Sequence, residues 1–579
     1  MNSKIAPDTI KGTHFFWQLK IPNQRLADEL EKALTIPPLL ALILTTRNIN
    51  SQGQAKDFLY SSLKDMHSPY QLPDIDKAVS RIAHALAEGE QIAIYGDYDV
   101  DGITGTAILV HFLSSFGGRV GWHIPHRVKE GYGLNTGALT KLHSRGVTLV
   151  VTVDCGSTDH EPIQLAREHG MDIIITDHHK LPDTPPEANV ILNPKGHGKI
   201  PELADLAGVG VAFYLATAIR AYFRREGRWS GSEQPNLKKY LDLVALGTLA
   251  DMAPLTGTNR ILASNGLSEL SRTSRPGLLA LKETCGLRGG KISNWDVLFR
   301  LGPRLNAPGR LGSSDPALRL LLTTDCAEAQ LLAQQLEELN RQRQSVEDQL
   351  LAEALSLIEA NKDYEQSSSL VLASPGWHKG VLGLVASRLT ERFNKPTILL
   401  TLVDEHWEGS GRSVGNFDLY QALARCSKHL VRFGGHRLAA GLGLTQSQLT
   451  EFFPAFEEAV KEGITSKDIT KTRKVDAVVH LEEITPELMT YLERMQPYGV
   501  GNPEPIFCCR DFQVEDSRVL KGSHLRLRLR QDKARFTGIG FNLLESDQLL
   551  PSPQWLLFSP RWNHWRGERQ IQLHIIDYK

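Results

Sequence analysis

Four short apolar runs in the first half of the chain each stop at acidic or imidazole side chains. They are IAIYGDYDVDG (92–102), VTLVVTVDCG (147–156), MDIIITDHHK (171–180) and LVALGTLADM (243–252). Runs of this kind, rich in β-branched residues, read as buried strands of a parallel sheet. Taken by itself, the fourth reads as an apolar helix with Asp251 after it. Helical spacing over 76–89, 103–116, 136–145 and 159–169 alternates with strands at 92–95, 148–153 and 172–176, the pattern of βαβ units. Open α/β sheets bind ligands beyond the carboxyl ends of their strands. The pattern therefore predicts one crevice that gathers Asp97, Asp99, Asp101, Asp154, Asp177, His178, His179 and Asp251.

The rest of the chain changes rhythm several times. Residues 1–75 read as an N-terminal extension of short helices, interrupted at Pro37 and Pro38. From Asp325 to Asn361 there is no Gly or Pro, and the apolar spacing does not hold a heptad, which favours an intrachain strut over a coiled coil. Strands at 369–374 and 397–403 flank a helix at 380–393 in a second α/β unit over 366–463. Short alternating strands at 524–530, 535–541, 554–560 and 570–578 suggest a small barrel, with the OB-fold as one candidate. The division expected is 1–75, 76–324, 325–362, 363–465 and 466–579.

Composition narrows the function classes. At 579 residues the chain exceeds one hydrophobic core, so three or four domains are expected. Lys and Arg total 65 against 66 Asp and Glu, so any nucleic acid must be held by local patches rather than a global field. The six cysteines are scattered without a CxxC pair, which argues against a zinc ribbon or disulfide framework and suits a reducing compartment. No leader-like segment and no apolar window of ~18 residues is present, so a cytoplasmic protein without a membrane span is expected.

So many carboxylates in one crevice need cations to offset their repulsion. Each segment alone has a plainer reading: a solvated acidic turn for GDYDVDG, a helix N-cap for Asp154, surface histidines for 178–179. Together they point to divalent metals and phosphate-ester hydrolysis. Mixed imidazole and carboxylate ligands suit Mn²⁺, with Mg²⁺ the abundant alternative. No Ser/His/Asp order or reactive Cys offers a covalent nucleophile, so water is the expected attacker.

Several segments have the make-up of strand-holding surfaces. Arg127 and Lys129 lie beside Tyr132 in a Gly-rich loop, a phosphate grip or a plain turn. RLGPRLNAPGRLG (300–312) carries Arg300, Arg304, Asn306 and Arg310 among Gly and Pro, a composition that helices rarely explain and that favours phosphate contact over a solvated loop. Ser410, Arg412, Ser413 and His436 are donors among small glycines; Trp377 and Phe417 either stack bases or are buried. In HLRLRLR, alternation places Leu525, Leu527 and Leu529 inside a barrel and Arg526, Arg528 and Arg530 on one outer face. Trp562 and Trp565 offer a stacking platform.

The order and spacing of the acidic segments, with DHH itself at 177–179, resemble the DHH phosphoesterase superfamily, and the resemblance covers nearly the whole chain. It implies an α/β fold: a DHH lobe with a mainly parallel sheet, a long connecting helix, a smaller α/β DHHA1 lobe and a C-terminal OB-like β-barrel. By the same resemblance Asp97, Asp99, Asp101, Asp154, His178 and Asp251 hold two divalent cations, with Asp154 bridging. His179 and Asp177 are then catalytic, His179 at the scissile phosphate. Segments 374–383, 409–418 and 433–441 grip nucleotides. Many superfamily members carry His where this chain has Tyr95, and Asp97 is the candidate substitute. The activity implied is single-strand-specific 5′→3′ DNA exonuclease action in repair and recombination. Its implied partners are single-strand-binding protein and a helicase, and its implied state is monomeric. A phosphodiesterase for small oligonucleotides and a non-catalytic replication scaffold are the rival readings; the chain's length and basic tail strand argue against the first, its near-complete ligand set against the second.

Overall fold

Helix α1 (Ile75–Glu88) feeds β1 (Gln91–Gly96), and α2 (Val100–Ser114) leaves it directly. Strands β2 (Arg119–His123), β3 (Val147–Val153), β4 (Asp172–Thr176) and β5 (Val190–Leu192) join β1 in an all-parallel sheet of order β2-β1-β3-β4-β5. The order reverses between β1 and β3, and such a switch point opens a crevice at the strands' carboxyl ends. Both faces are covered. Ile92, Ile94, Leu149, Val151 and Ile174 enter one core, while Ala93, Tyr95, Val150, Ile173 and Ile175 enter another. That is why these strands read as continuous apolar runs rather than alternating ones.

In this computed structural model the described residues are 9–579 apart from 128, 197, 199, 230–233, 545–552 and 566–567. They divide into two compact units, one spanning Ser62–Ile469 and the other combining the segment up to Ser61 with Thr470–Lys579.

Within the larger unit, α2 packs on α3 (Gly208–Arg225) and α4 (Leu241–Ala250). The fourth apolar run, grouped with the strands at first reading, is therefore helix α4. Its Leu, Ala and Gly content leaves only Val244 and Thr248 β-branched, fewer than in the other three, and Leu241–Leu249 are all buried among helices. A second correction concerns 300–312. Those residues form a π-helical turn (Val297–Leu301) followed by α5 (Gly302–Leu311), not a loop. Leu305, Ala307, Pro308 and Gly309 are buried there, so packing overrides the low helix propensity of Gly and Pro.

Helix α6 (Cys326–Ala360) runs 35 residues, about 52 Å at the usual rise. Its start is fixed by Asp325, whose side chain accepts from the Glu328 amide. Leu332, Ala333 and Leu336 join the first core, and Leu350 and Ala354 join the core of the second lobe, as a strut requires. The second lobe is a five-stranded mixed sheet. In chain order its strands are β6 (Leu370–Ala373), β7 (Thr397–Val403), β8 (His406–Arg412), β9 (Arg432–Gly435) and β10 (Ala439–Thr445), arranged β9-β10-β8-β7-β6.

The smaller unit carries a seven-stranded sheet that includes His524–Gln531, Ala534–Gly540, Trp555–Trp565 and Glu568–Tyr578. Leu525, Leu527 and Leu529 are each 1% exposed, while Arg528 and Arg530 face solvent, as the alternation predicts. Strand Phe16–Leu19 pairs in parallel with Thr472–Val475, which ties the first segment to the tail. Buried Asp577 accepts the His14 and Phe15 amides and the Trp17 indole N–H. Among the described residues no helix is long and apolar enough to cross a membrane.

Candidate metal centre

Each of the three parallel strands at the switch point delivers its acidic group from its carboxyl end. Asp99 caps α2, accepting the Asp101 and Gly102 amides through Oδ1. Asp101 turns back into the protein and accepts the Gly208 and Val209 amides at 2.7 and 2.8 Å, so the first turn of α3 fixes both its oxygens. Asp154 takes a left-handed backbone (φ 64°) at the end of β3. Gly208 permits the close approach of α3: a Cβ there would lie 2.7 Å from the Asp154 Cβ and 3.0 Å from Asp101 Oδ2.

These side chains meet. His178 Nε2 lies 3.1 Å from Asp154 Oδ1, 3.8 Å from Asp101 Oδ2 and 3.9 Å from Asp251 Oδ2. Three sets have all their ligand atoms within 4.8 Å of one another: Asp97, Asp99 and Asp154; Asp101, His178 and Asp251; Asp154, His178 and His179. Asp154 belongs to two of them. Despite the 3.1 Å separation, His178 Nε2 and Asp154 Oδ1 are not aligned as a hydrogen bond. Both are buried without a hydrogen-bond partner, as is Asp97 Oδ1. Buried polar atoms are almost always satisfied, so three orphans aimed into one crevice fit a cation that they would ligate.

The electrostatics agree. Burial, reinforced by neighbouring carboxylates, pushes Asp97, Asp101 and Asp154 well above the usual carboxylate range. Asp251 is pushed up to about 7 by burial and then by Asp99. Burial lowers His178 to about 3, so its ring is neutral at physiological pH. Nε2 is left unpartnered and points at Asp154, Asp101 and Asp251, as a metal-ligating imidazole would. Asp177 behaves differently. Burial alone would raise it, but the His179 ring at 2.8 Å and the Ser157 and His179 amides hold it below the ordinary range. The same pairing lifts His179 against the opposing effect of burial. Asp177 is thus an orienting group for His179.

Tyr95 is fully buried, and its hydroxyl donates to the Gly133 carbonyl, so it takes no part in the cluster. Asp97 does.

Beside the carboxylates lies a cavity of about 400 Å³ between the two lobes of the larger unit. Tyr98, Arg127, Tyr132, Arg310, Lys379, Ser410 and Arg412 line it. The Arg127 guanidinium stands 4.9 Å over the Tyr98 ring, and the Tyr132 hydroxyl donates to the Asp154 carbonyl. Burial and three neighbouring arginines lower Arg310 to about 10, which still leaves it cationic at neutral pH.

Other candidates fall elsewhere. Arg304 is spent on Glu337 of α6 and the Arg300 carbonyl, and Ser413 Oγ donates to the Phe417 carbonyl. Neither lines the cavity. Asn306 Oδ1 accepts the Val100 amide, so it positions the acidic turn. His436 is exposed at the β9–β10 turn. Trp377 and Phe417 are buried, the Trp377 indole bonded to Glu353. Trp562 is covered by the Arg569 guanidinium at 3.9 Å, and the Trp565 side chain lies outside the described residues. Tyr98, Lys379 and the amides of Gly208 and Val209 escaped the sequence reading; the GVGV run opening an apolar helix was the only local signal for the last two.

Three family models match the chain: DHH family, N-terminal domain, over 91–248, the DHHA1 domain over 366–462 and the RecJ OB domain over 475–577. The single-stranded-DNA-specific exonuclease RecJ of Escherichia coli (strain K12) is 35% identical, covering 97% of this chain and 99% of its own. This chain belongs to the RecJ family. RecJ of Bacillus subtilis (strain 168) is also 35% identical over 97% of this chain, and the match spans 70% of that longer protein. Among solved structures, RecJ from Thermus thermophilus in complex with Mn²⁺ superposes with a TM-score of 0.82 at 31% identity, covering 97% of this chain and 79% of that one. Its complex with Mg²⁺ gives 0.77 at 30% identity, covering 97% of this chain and 78% of that one. The RecJ architecture of DHH lobe, long helix, DHHA1 lobe and OB domain is the one expected from the resemblance.

Proposed function

We propose that this RecJ-family chain is a metal-dependent, single-stranded-DNA-specific 5′→3′ exonuclease that releases 5′-mononucleotides in DNA repair and recombination. The observation that carries the reading is the crevice at the β1/β3 switch point, where buried Asp97, Asp154 and His178 atoms have no protein partner and a cationic cavity adjoins them. Asp97, Asp99, Asp101, Asp154, His178 and Asp251 would hold two divalent cations, Mn²⁺ or Mg²⁺, with Asp154 shared. When bound, such a pair polarises the phosphate, activates water and steadies the leaving oxygen.

The chain's own groups do the rest. Asp177 orients His179 and favours its imidazolium form, in which the remaining ring nitrogen donates to the scissile phosphate. Arg127, Arg310, Ser410 and Arg412 hold the 5′-terminal phosphate in the cavity, bidentate arginine forks suiting its oxygens. Residues 76–324 carry the chemistry, 325–362 connect, 363–465 grip the terminus, and 466–579 hold longer strands through Arg526, Arg528 and Arg530. The enzyme works as a cytoplasmic monomer, with single-strand-binding protein and a helicase presenting its substrate. Absence of a membrane-spanning helix among the described residues and absence of a CxxC pair fit that setting.

The test is nucleotide release from 5′-labelled single and double strands with Mg²⁺ or Mn²⁺. Mononucleotides should come from single strands and stop on chelation. Equal degradation of a blunt duplex refutes the proposal.

A further inference from the structure

Upstream of α5, Trp295 and Phe299 are 56% and 61% exposed, although most aromatic rings in this unit are buried or half-buried. Their centroids lie 5.3 Å apart with planes inclined at 32°, and the Arg300 guanidinium sits 5.4 Å from the Trp295 ring. No core contact explains so much uncovered ring in one place. The π-helical turn Val297–Leu301 that presents them is an irregularity often found at functional sites.

Their position along the helix gives the meaning. Residues 302, 306 and 309 lie on one side of α5, and Trp295 and Phe299 come just before them, at and within the π-helical turn. Gly302 faces Ala250, the neighbour of Asp251: a Cβ there would lie 3.8 Å from the Ala250 Cβ. Asn306 accepts the Val100 amide between Asp99 and Asp101. Gly309 packs on Tyr98, and Arg310 next to it lines the cavity. From one end to the other, this stretch thus carries an exposed aromatic pair, then residues packed against the acidic turn, then the rim of the cationic cavity. Fifteen residues at the usual rise make the line about 22 Å long, enough for a few nucleotides.

We propose that Trp295 and Phe299 form the stacking platform for the bases just 3′ of the scissile phosphate, which makes them positioning residues for the incoming strand. The proposal rests on the exonuclease reading above. A 5′-phosphate in the cavity places the next phosphodiester at the carboxylates and sends the strand out over Asp251 and exposed Met252 toward Phe299. Arg300, paired with Asp296 at 3.3 Å, steadies the Trp295 ring beneath its guanidinium. Bases fit the platform better than a protein does, because two rings offer far less than the ~800 Å² per side of a stable protein interface.

The experiment compares single-turnover release of the first nucleotide from an ordinary single strand and from one with abasic second and third positions. It uses the full-length enzyme and W295A/F299A with Mn²⁺. Stacking of this kind predicts about a tenfold loss in kcat/KM from either change alone. The two losses should not compound, since base and ring act as one pair. The conservative variant F299Y should restore release. Compounded losses, or full activity of W295A/F299A on ordinary strands, overturn the platform. The abasic arm needs no mutant, so equal release of both strands by the unaltered enzyme also overturns it. Failure of the unaltered enzyme on ordinary single strands would instead remove the exonuclease reading, and the platform with it.

Discussion

Replacing Gly208 by alanine adds one methyl group where α3 presses on two carboxylates of the metal centre. Its Cβ would lie 2.7 Å from the Asp154 Cβ and 3.0 Å from Asp101 Oδ2. Ordinary carbon contacts stand at ~3.5–4.0 Å, so helix α3 and the two carboxylates must separate by about 1 Å. Asp101 and Asp154 are 1% and 2% exposed, so neither can swing into solvent to make room. The Gly208 amide also donates to Asp101, so the strain falls on the hydrogen bond that holds that ligand. A misplacement of this size costs about 10²-fold in rate, equivalent to about 2.7 kcal/mol of transition-state stabilisation. Support lost behind a ligand weakens metal binding by about 10–100-fold. Calorimetric titration with Mn²⁺ and single-turnover hydrolysis of a 5′-labelled strand measure the two effects. Thermal melting without metal reports the separate overpacking cost, about 1–3 kcal/mol. If G208A binds Mn²⁺ and cleaves like the unaltered enzyme, α3 does not buttress the site as argued.

Three further outcomes can be checked. D154N should lose hydrolysis at least ~10³-fold while keeping single-strand binding, and its metal-free form should melt higher at neutral pH, because the asparagine is spared the cost of burying or protonating a carboxylate opposed by its neighbours; retained turnover would contradict the shared-ligand role. R412A should erase any preference for 5′-phosphorylated over 5′-hydroxyl ends, read as the ratio of kcat/KM values on the two; an unchanged ratio places the phosphate elsewhere. R526E/R528E/R530E should weaken binding of long strands and reduce the slope of log affinity against log salt by about one per lost phosphate contact, and an unaltered slope would mean that face does not meet DNA.

The sequence made some of this visible and hid the rest for identifiable reasons. Strands β1, β3 and β4 were legible because burial on both faces leaves unbroken β-branched runs with charges only at their ends. Helix α6 was legible because nothing in 326–360 can break it. The α4 run could be read both ways, as strand beside the other three and as helix by itself, because apolarity without period does not separate a buried helix from a buried strand; the helix is what forms. Helix α5 was hidden by Pro303 and Pro308, whose cost is met by packing against α6, visible only in three dimensions. The same holds for Asp101. Its acidity pointed to metal, but its partners at 208 and 209 lie 107 and 108 residues on. Arg304 looked like a phosphate ligand until Glu337, 33 residues away, was seen to hold it. Local pattern reports local structure, and the partners that assign a polar group its task are rarely local.

The carboxylate of Asp577 has a bearing on biosynthesis. Trp17, which donates to it, leaves the ribosome 560 residues earlier. At about 5–20 residues per second, the indole waits roughly half a minute to two minutes for its acceptor to be translated. The contiguous unit Ser62–Ile469 can finish folding during that delay, while the opening segment travels without its cover. Newborn chains should therefore be most vulnerable to proteases and self-association at their leading end, and slower translation should lengthen the exposure.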